Sequence, residues 1–125
     1  MIVFDTYAWI EYFIDGKNAD LIESYLENNQ VITPIVVLLE ISSKAYREKW
    51  DIKKYINFIK AKSTVLSLSE EIIIKTGEIY NNIKKDVKDF GLIDATIFTA
   101  AIINKCKILT GDPHFKNLDN VEFLK

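Results

Sequence analysis

Four acidic residues stand in this sequence where their side chains are able to meet: Asp5, Glu40, Asp94 and Asp112. Asp5 and Asp112 each come directly after, or just beyond, a short apolar strand candidate. Glu40 and Asp94 lie in apolar segments with a helical pattern, where a buried carboxylate without a partner is costly. Because the carboxyl ends of parallel strands open onto one edge of a sheet, we predict that the four acids converge there.

Such a cluster of carboxylates requires a counter-charge. Two carboxylates about 4 Å apart repel by ~1 kcal/mol in water and by ~4 kcal/mol at the dielectric of a protein surface. No lysine or arginine adjoins any of the four acids in the sequence, so a divalent cation is the economical partner. An oxygen-only ligand set favours Mg²⁺ or Mn²⁺ over zinc, and such an ion would lower the pKa of a bound water.

Each acid also has a simpler explanation. Asp5 and Asp112 are suited to cap the helical segments that follow them. Asp94 is close to the start of a helix, where the helix dipole favours a negative charge. Glu40 could lie at a solvated edge of its helix. The prediction of a shared site therefore depends on all four acids meeting.

The order of the predicted elements indicates how the acids are positioned. Strand candidates are residues 2–4, 30–33, 65–68, 107–110 and 121–124, and helix candidates are residues 6–14, 20–28, 35–50, 52–61, 69–88 and 92–103. Strands that alternate with helices predict an α/β fold with helices on both faces of a mostly parallel sheet of four to five short strands. Pro34 suits the first turn of the helix that follows it.

The composition is that of an ordinary globular protein. A chain of 125 residues is expected to form one domain, spanning residues 1–125, and its net charge of −2 gives no global attraction to nucleic acid. The apolar runs fall short of the ~20 residues that a membrane span needs. A single cysteine, Cys106, excludes an internal disulfide and is expected to be buried and inert. We therefore expect a cytoplasmic protein that does not enter a membrane.

In the order and spacing of its motifs, the chain resembles the PIN-domain ribonucleases, especially the toxins of the VapC type. The matching pieces are Ile2-Val3-Phe4-Asp5-Thr6 with Trp9, Glu40 in its apolar helix, Ile93-Asp94-Ala95 with Ala100, and Leu109-Thr110-Gly111-Asp112 with Phe115. The resemblance covers the whole chain, and none of the four acids is missing.

This resemblance implies a fold, an activity and partners. It implies a three-layer α/β/α PIN-like fold and an endoribonuclease whose four-carboxylate pocket, Asp5, Glu40, Asp94 and Asp112, binds Mg²⁺ or Mn²⁺. Asp5 and Asp94 would be the most direct metal ligands, with Thr6 and Thr110 as supporting polar groups. It also implies an RNA substrate, a cognate antitoxin protein and a homodimer.

Basic residues near the acids in sequence are candidates for binding RNA phosphates. They are Lys44, Arg47, Lys84, Lys85 and Lys88. His114, the only histidine, is expected in an exposed turn without a part in catalysis.

Two other functions remain open at this point. The first is a PIN-like module that binds RNA or a partner without catalysis. The second is a phospho-receiver domain, which would need adjacent paired acids where Phe4-Asp5-Thr6 supplies one.

Overall fold

A five-stranded, wholly parallel sheet forms the middle layer of the protein. The computed structural model describes residues 1–125. The strands are β1 (Ile2–Phe4), β2 (Val31–Pro34), β3 (Thr64–Leu66), β4 (Lys107–Thr110) and β5 (Val121–Phe123). They are arranged in the order β3-β2-β1-β4-β5.

Helices cover both faces of this sheet. They are α1 (Thr6–Phe13), α2 (Ala19–Asn28), α3 (Ile35–Glu48), α4 (Ile52–Lys62), α5 (Glu70–Lys84) and α6 (Leu92–Ile103), followed by a 3₁₀ helix, Pro113–Phe115. The predicted three-layer α/β/α fold with a parallel sheet is confirmed. None of the six helices is long and apolar enough to cross a membrane.

Most elements have a boundary that differs by one or more residues from the sequence-based prediction, and three of these differences have a clear physical reason. Helix α5 ends at Lys84 and not near Lys88, because the chain must turn to bury Phe90 completely in the core. Strand β3 ends at Leu66 because its partner β2 ends at Pro34, with which Leu66 is in register. Pro34 is the last residue of β2 and therefore precedes α3.

The core fixes the helices that carry the acids. Trp9 of α1 is fully buried, and its indole N–H donates to the Thr33 hydroxyl of β2 at 3.1 Å. Helix α6 is buried from Ala95 to Ala101, as its nearly all-apolar sequence predicts. Cys106 is also buried, and burial raises the pKa of its thiol. The segments next to Asp5 and Asp94 are thus held firmly against the sheet.

The sheet order creates a crevice between β1 and β4. These two strands are neighbours, and the chain leaves β1 towards β2 but leaves β4 towards β5, in the opposite direction. Ligand sites of open α/β sheets form at such a point, beyond the carboxyl ends of the strands. Because Phe4 is in register with Leu109, Asp5 and Thr110 emerge side by side at this edge.

Candidate active site

Asp5 lies at the bottom of the crevice. Its side chain caps α1, since Oδ1 accepts a hydrogen bond from the Ala8 N–H at 2.9 Å, and Oδ2 accepts one from the Thr110 hydroxyl. Only 2% of Asp5 is exposed. The pKa of its carboxyl is raised to about 7: burial is the largest cause and the charges of Asp112 and Asp94 add to it, while the hydrogen bonds from Thr110 and Ala8 oppose the rise.

The turn after β4 ties Asp112 to the same site. The Asp112 N–H donates to the Thr110 hydroxyl oxygen at 3.0 Å, so that one hydroxyl contacts both Asp5 and the Asp112 backbone. Oδ1 of Asp112 in turn accepts from the His114 N–H at 2.9 Å and caps the 3₁₀ helix. The predicted capping roles of Asp5 and Asp112 are therefore confirmed, and capping does not remove either residue from the crevice.

Glu40 reaches the site from α3. Its Oε1 accepts a hydrogen bond from the hydroxyl of Thr6, the first residue of α1. Glu40 is half-buried, and burial raises the pKa of its carboxyl. The negative charges of Asp94 and Asp112 raise this pKa further, while the Thr6 hydrogen bond lowers it.

Asp94 occupies the first turn of α6. Its Oδ2 accepts a hydrogen bond from the Gly91 N–H at 3.2 Å, which satisfies a backbone donor at the helix start. Its side chain is 17% exposed. The pKa of the Asp94 carboxyl is raised, chiefly by burial and further by the negative charge of Asp112. The hydrogen bond from Gly91 and the contact with His114 partly oppose this rise.

The structure brings all four predicted acids to one cavity of about 230 Å³. Its lining residues are Asp5, Thr6, Tyr7, Ile10, Glu40, Asp94, Ile97 and Asp112. Three of the carboxyls have raised pKa values, and the neighbouring carboxylates contribute to each of the three rises. The cavity thus concentrates negative charge, and a bound cation would relieve the mutual repulsion.

His114 lies in a turn, as expected, with its side chain 37% exposed. Its Nδ1 is 3.3 Å from Oδ2 of Asp94 and 3.3 Å from Oδ1 of Asp112, and the absence of a part in catalysis stays a prediction. His114 is the only basic side chain within ion-pair distance of any of the four acids. Sequence could not indicate this contact, because it depends on how the short 3₁₀ helix turns the ring back towards α6.

The donor set fits a hard divalent cation. Carboxylate oxygens are the protein ligands that Mg²⁺ and Mn²⁺ accept, usually together with several waters. The cavity offers the carboxylates of Asp5, Glu40, Asp94 and Asp112 and is large enough for an ion and its waters. Ligand atoms of Asp94, Asp112 and His114 also lie within 4.8 Å of one another.

The chain matches the family model of the PIN domain over residues 2–121. It belongs to the PIN domain family. Solved structures of other proteins have the same fold over the whole chain. VapBC2 from Rickettsia felis, bound to a DNA fragment from its promoter, aligns with a TM-score of 0.79 at 17% identity and 100% coverage of both chains.

Two further structures support the same fold. VapC20 from Mycobacterium tuberculosis, a sarcin-ricin loop cleaving toxin, aligns with a TM-score of 0.79 at 16% identity and covers 100% of both chains. VapBC-1 from nontypeable Haemophilus influenzae gives a TM-score of 0.71 at 20% identity, over 100% of this chain and 98% of that one. No curated protein sequence matches the chain significantly.

None of the basic residues predicted to bind RNA lines the acidic cavity of this PIN domain: Lys44, Arg47, Lys84, Lys85 and Lys88. Lys44 forms an ion pair with Glu48 at 3.3 Å, and Lys84 donates to the Tyr80 hydroxyl at 3.0 Å. Arg47, Lys85 and Lys88 are exposed. Their role in holding RNA stays a prediction about the surface outside the cavity.

Tyr7 is a residue of the site that sequence reasoning missed. It lines the acidic cavity, is 39% exposed, and packs its ring against Gly111 so closely that any Cβ at position 111 would collide with it. The signal was present in the sequence as a glycine directly before Asp112 and an aromatic residue two positions after Asp5. Gly111 thus allows an aromatic ring to lie at the edge of the carboxylate cluster.

Proposed function

We propose that this PIN domain is a Mg²⁺- or Mn²⁺-dependent endoribonuclease and the toxin of a toxin–antitoxin pair. The observation that supports this most is the convergence of four carboxylates, contributed by two strand ends and two helices, on one cavity. VapC20, a protein of the same fold, is a sarcin-ricin loop cleaving toxin. RNA is therefore the substrate to test first.

Asp5 and Asp94, with Glu40 and Asp112, would hold the ion. When bound, such an ion supplies positive charge for the reacting phosphate and lowers the pKa of water. Thr110 orients Asp5, and Thr6 orients Glu40 through its Oε1. Because the Thr6 hydroxyl engages only Oε1 and the pKa of Glu40 is raised, Oε2 is the carboxylate oxygen suited to accept a proton from an attacking water.

The test is cleavage of an end-labelled, mixed RNA pool by the purified protein with Mg²⁺, with Mn²⁺ and with EDTA. The main variant is Asp94→Asn, which keeps the side-chain shape and removes its charge. Asp119→Asn is the matched control, since Asp119 is exposed and outside the cavity. We expect metal-dependent cutting that Asp94→Asn lowers by at least about 100-fold, because even the loss of a residue that supports a metal ligand can cost that much.

Two results would contradict the proposal in different ways. Cutting that persists in EDTA and in Asp94→Asn would mean that the acidic cavity is not the source of the activity. A folded, metal-binding protein that cuts no RNA of the pool, including the sarcin-ricin loop, would support a module that only binds RNA or a partner. A phospho-receiver function is disfavoured already, because it needs adjacent paired acids after the first strand, where Phe4-Asp5-Thr6 supplies one.

We also propose a protein antitoxin as partner, since the solved structures of the same fold include a toxin–antitoxin complex from Klebsiella pneumoniae. The expected outcome is that the product of a neighbouring gene co-purifies with the chain and inhibits RNA cleavage. Cleavage that is unchanged by every such product would argue for a nuclease without an antitoxin.

A homodimer is the third part of the proposal. Helix α3 carries an exposed apolar stripe at helical spacing, with Ile35, Leu39 and Tyr46 exposed by 39%, 66% and 88%. We expect the purified chain to be a dimer in size-exclusion chromatography with light scattering. Leu39→Glu should shift it to a monomer, because a charge buried at an apolar interface is costly, while the exposed control Ser67→Glu should not. A monomeric parent chain would show this prediction to be wrong.

A further inference from the structure

We propose that His114 is a metal ligand through Nδ1, so that this PIN domain has a mixed nitrogen and oxygen site that favours Mn²⁺ or another first-row ion over Mg²⁺. The inference rests on the proposed metal site and changes its composition. Sequence reasoning arrived at a site with oxygen ligands alone. The structure adds a nitrogen to it.

The first support is the spacing of the donor atoms. Nδ1 of His114 is 3.3 Å from a carboxylate oxygen of Asp94 and 3.3 Å from one of Asp112. Two ligand atoms that each lie about 2.1 Å from one ion, at a right angle, are ~3 Å apart. All three residues offer a ligand atom within 4.8 Å of the other two. The spacing of these atoms therefore suits common ligation of one ion.

The second support is that Nδ1 has no hydrogen bond of acceptable geometry. The atom is buried and has no partner with acceptable geometry, although buried polar atoms nearly always have one. Both carboxylate oxygens lie 3.3 Å from Nδ1, but neither meets the geometry of a hydrogen bond from a ring N–H on that atom. In the tautomer with its proton on Nε2, Nδ1 carries a lone pair that is able to bind an ion.

The third support is that the turn holds the ring in place. The Asp112 N–H is bound by Thr110 at 3.0 Å, and the His114 N–H is bound by Asp112 at 2.9 Å. The next residue, Phe115, is fully buried, and its ring packs edge-on against that of Phe90 at 5.7 Å. His114 thus lies between two anchored residues, and this limits the entropy that the side chain would lose on binding an ion.

A nitrogen ligand has a consequence for the choice of ion. Mg²⁺ prefers oxygen ligands, whereas imidazole binds first-row transition ions more strongly. The competing explanation is that His114 is an imidazolium that neutralises Asp94 and Asp112. The two explanations predict opposite results when His114 is removed. Loss of a ligand weakens Mn²⁺ binding, whereas loss of a competing positive charge strengthens the binding of both Mn²⁺ and Mg²⁺.

The experiment measures metal binding directly and does not depend on activity. Because His114 is the only histidine, a chain made without a histidine tag gives an unambiguous nitrogen signal. The Mn²⁺-loaded protein would be examined by pulsed electron paramagnetic resonance for ¹⁴N coupling to Mn²⁺. Mn²⁺ and Mg²⁺ affinities would be measured by calorimetry for the parent chain, for His114→Gln and for the control Lys116→Gln, which removes an exposed cation of the same turn.

We expect ¹⁴N coupling in the parent chain and in Lys116→Gln, and none in His114→Gln. His114→Gln should weaken Mn²⁺ binding by about 10-fold or more and Mg²⁺ binding by much less. Mn²⁺ binding without ¹⁴N coupling, or tighter binding of both ions to His114→Gln, would overturn the ligand role and leave the proposed nuclease intact. If the parent chain binds neither ion, the metal-dependent function falls together with this inference.

Discussion

Replacing Asp5 with asparagine is expected to make the metal-free protein more stable at pH 8, by up to about 4 kcal/mol, while it abolishes RNA cleavage. The pKa of Asp5 is raised from 3.8 to about 7 in the folded chain, and each tenfold change in an acid dissociation constant corresponds to about 1.4 kcal/mol. Asparagine caps a helix as well as aspartate does, so it can keep the bond from the Ala8 N–H. It carries no charge to bury.

The direction of the pH dependence follows from the raised pKa of Asp5. Below about pH 4 the carboxyl is protonated in both folded and unfolded chains, and it contributes no difference. Between about pH 4 and 7 the folded chain retains a proton that the unfolded chain has released, so the free energy of unfolding decreases as pH rises. Above about pH 7 the Asp5 carboxyl is ionised in both states, and the free energy of unfolding decreases no further from this cause. The stability that protonation provides is therefore present at low pH and absent at high pH.

The measurement is urea unfolding in EDTA at several pH values between 4 and 8. The parent chain should lose stability relative to Asp5→Asn as pH rises, and the exposed control Asp119→Asn should follow the parent chain. Glu40 and Asp94 also have raised pKa values, so a smaller slope should remain in Asp5→Asn. If the parent chain and Asp5→Asn lose stability in parallel, Asp5 is ionised throughout and the explanation is wrong.

A bound metal ion should offset the free energy that burial of the ionised Asp5 carboxylate costs. An ion that binds only the folded chain stabilises it according to its concentration and dissociation constant. At pH 8, Mn²⁺ should therefore stabilise the parent chain much more than Asp5→Asn, which lacks one of the proposed ligands. Equal stabilisation of both proteins would remove Asp5 from the ligand set.

The convergence of the four acids was predictable from the sequence because it follows from the order of the strands and helices. Asp5 comes directly after β1 and Asp112 just after β4, and parallel neighbouring strands must end at the same edge of the sheet. Glu40 and Asp94 interrupt apolar helices that can pack only on this sheet. The fold class depends on the same alternation of strands and helices, and it was predictable for the same reason.

The remaining features depend on tertiary contacts that no local pattern encodes. The segment after Lys84 has a helical composition, but burial of Phe90 forces a turn there. His114 approaches Asp94 only because the 3₁₀ helix directs its ring towards α6. The contact of Tyr7 with Gly111 joins the first turn of α1 to the residue that follows β4. In each case a long-range packing contact determines the position.

Substitution of Thr110 is expected to affect both stability and RNA cleavage, because its single hydroxyl forms hydrogen bonds with two of the acidic residues. The hydroxyl donates to Asp5 and accepts from the Asp112 N–H at 3.0 Å, and Thr110 is completely buried. Thr110→Val preserves the shape and removes both bonds. We expect it to lower the free energy of unfolding by about 2–4 kcal/mol, since each buried polar group left unpaired costs about 1–3 kcal/mol.

The same substitution should reduce RNA cleavage by about 10- to 100-fold, the usual cost of losing a residue that supports metal ligands. Without the Thr110 hydroxyl the pKa of Asp5 should rise further, because this hydrogen bond lowers it, and a protonated Asp5 is a poor ligand. Thr110→Ser is the matched control: it keeps the hydroxyl and loses a methyl group, at about 1 kcal/mol. Its cleavage rate at saturating Mn²⁺ should stay near that of the parent chain. If Thr110→Val and Thr110→Ser cleave RNA equally well, the hydroxyl does not position Asp5 and Asp112, and packing alone explains why a threonine stands at the end of β4.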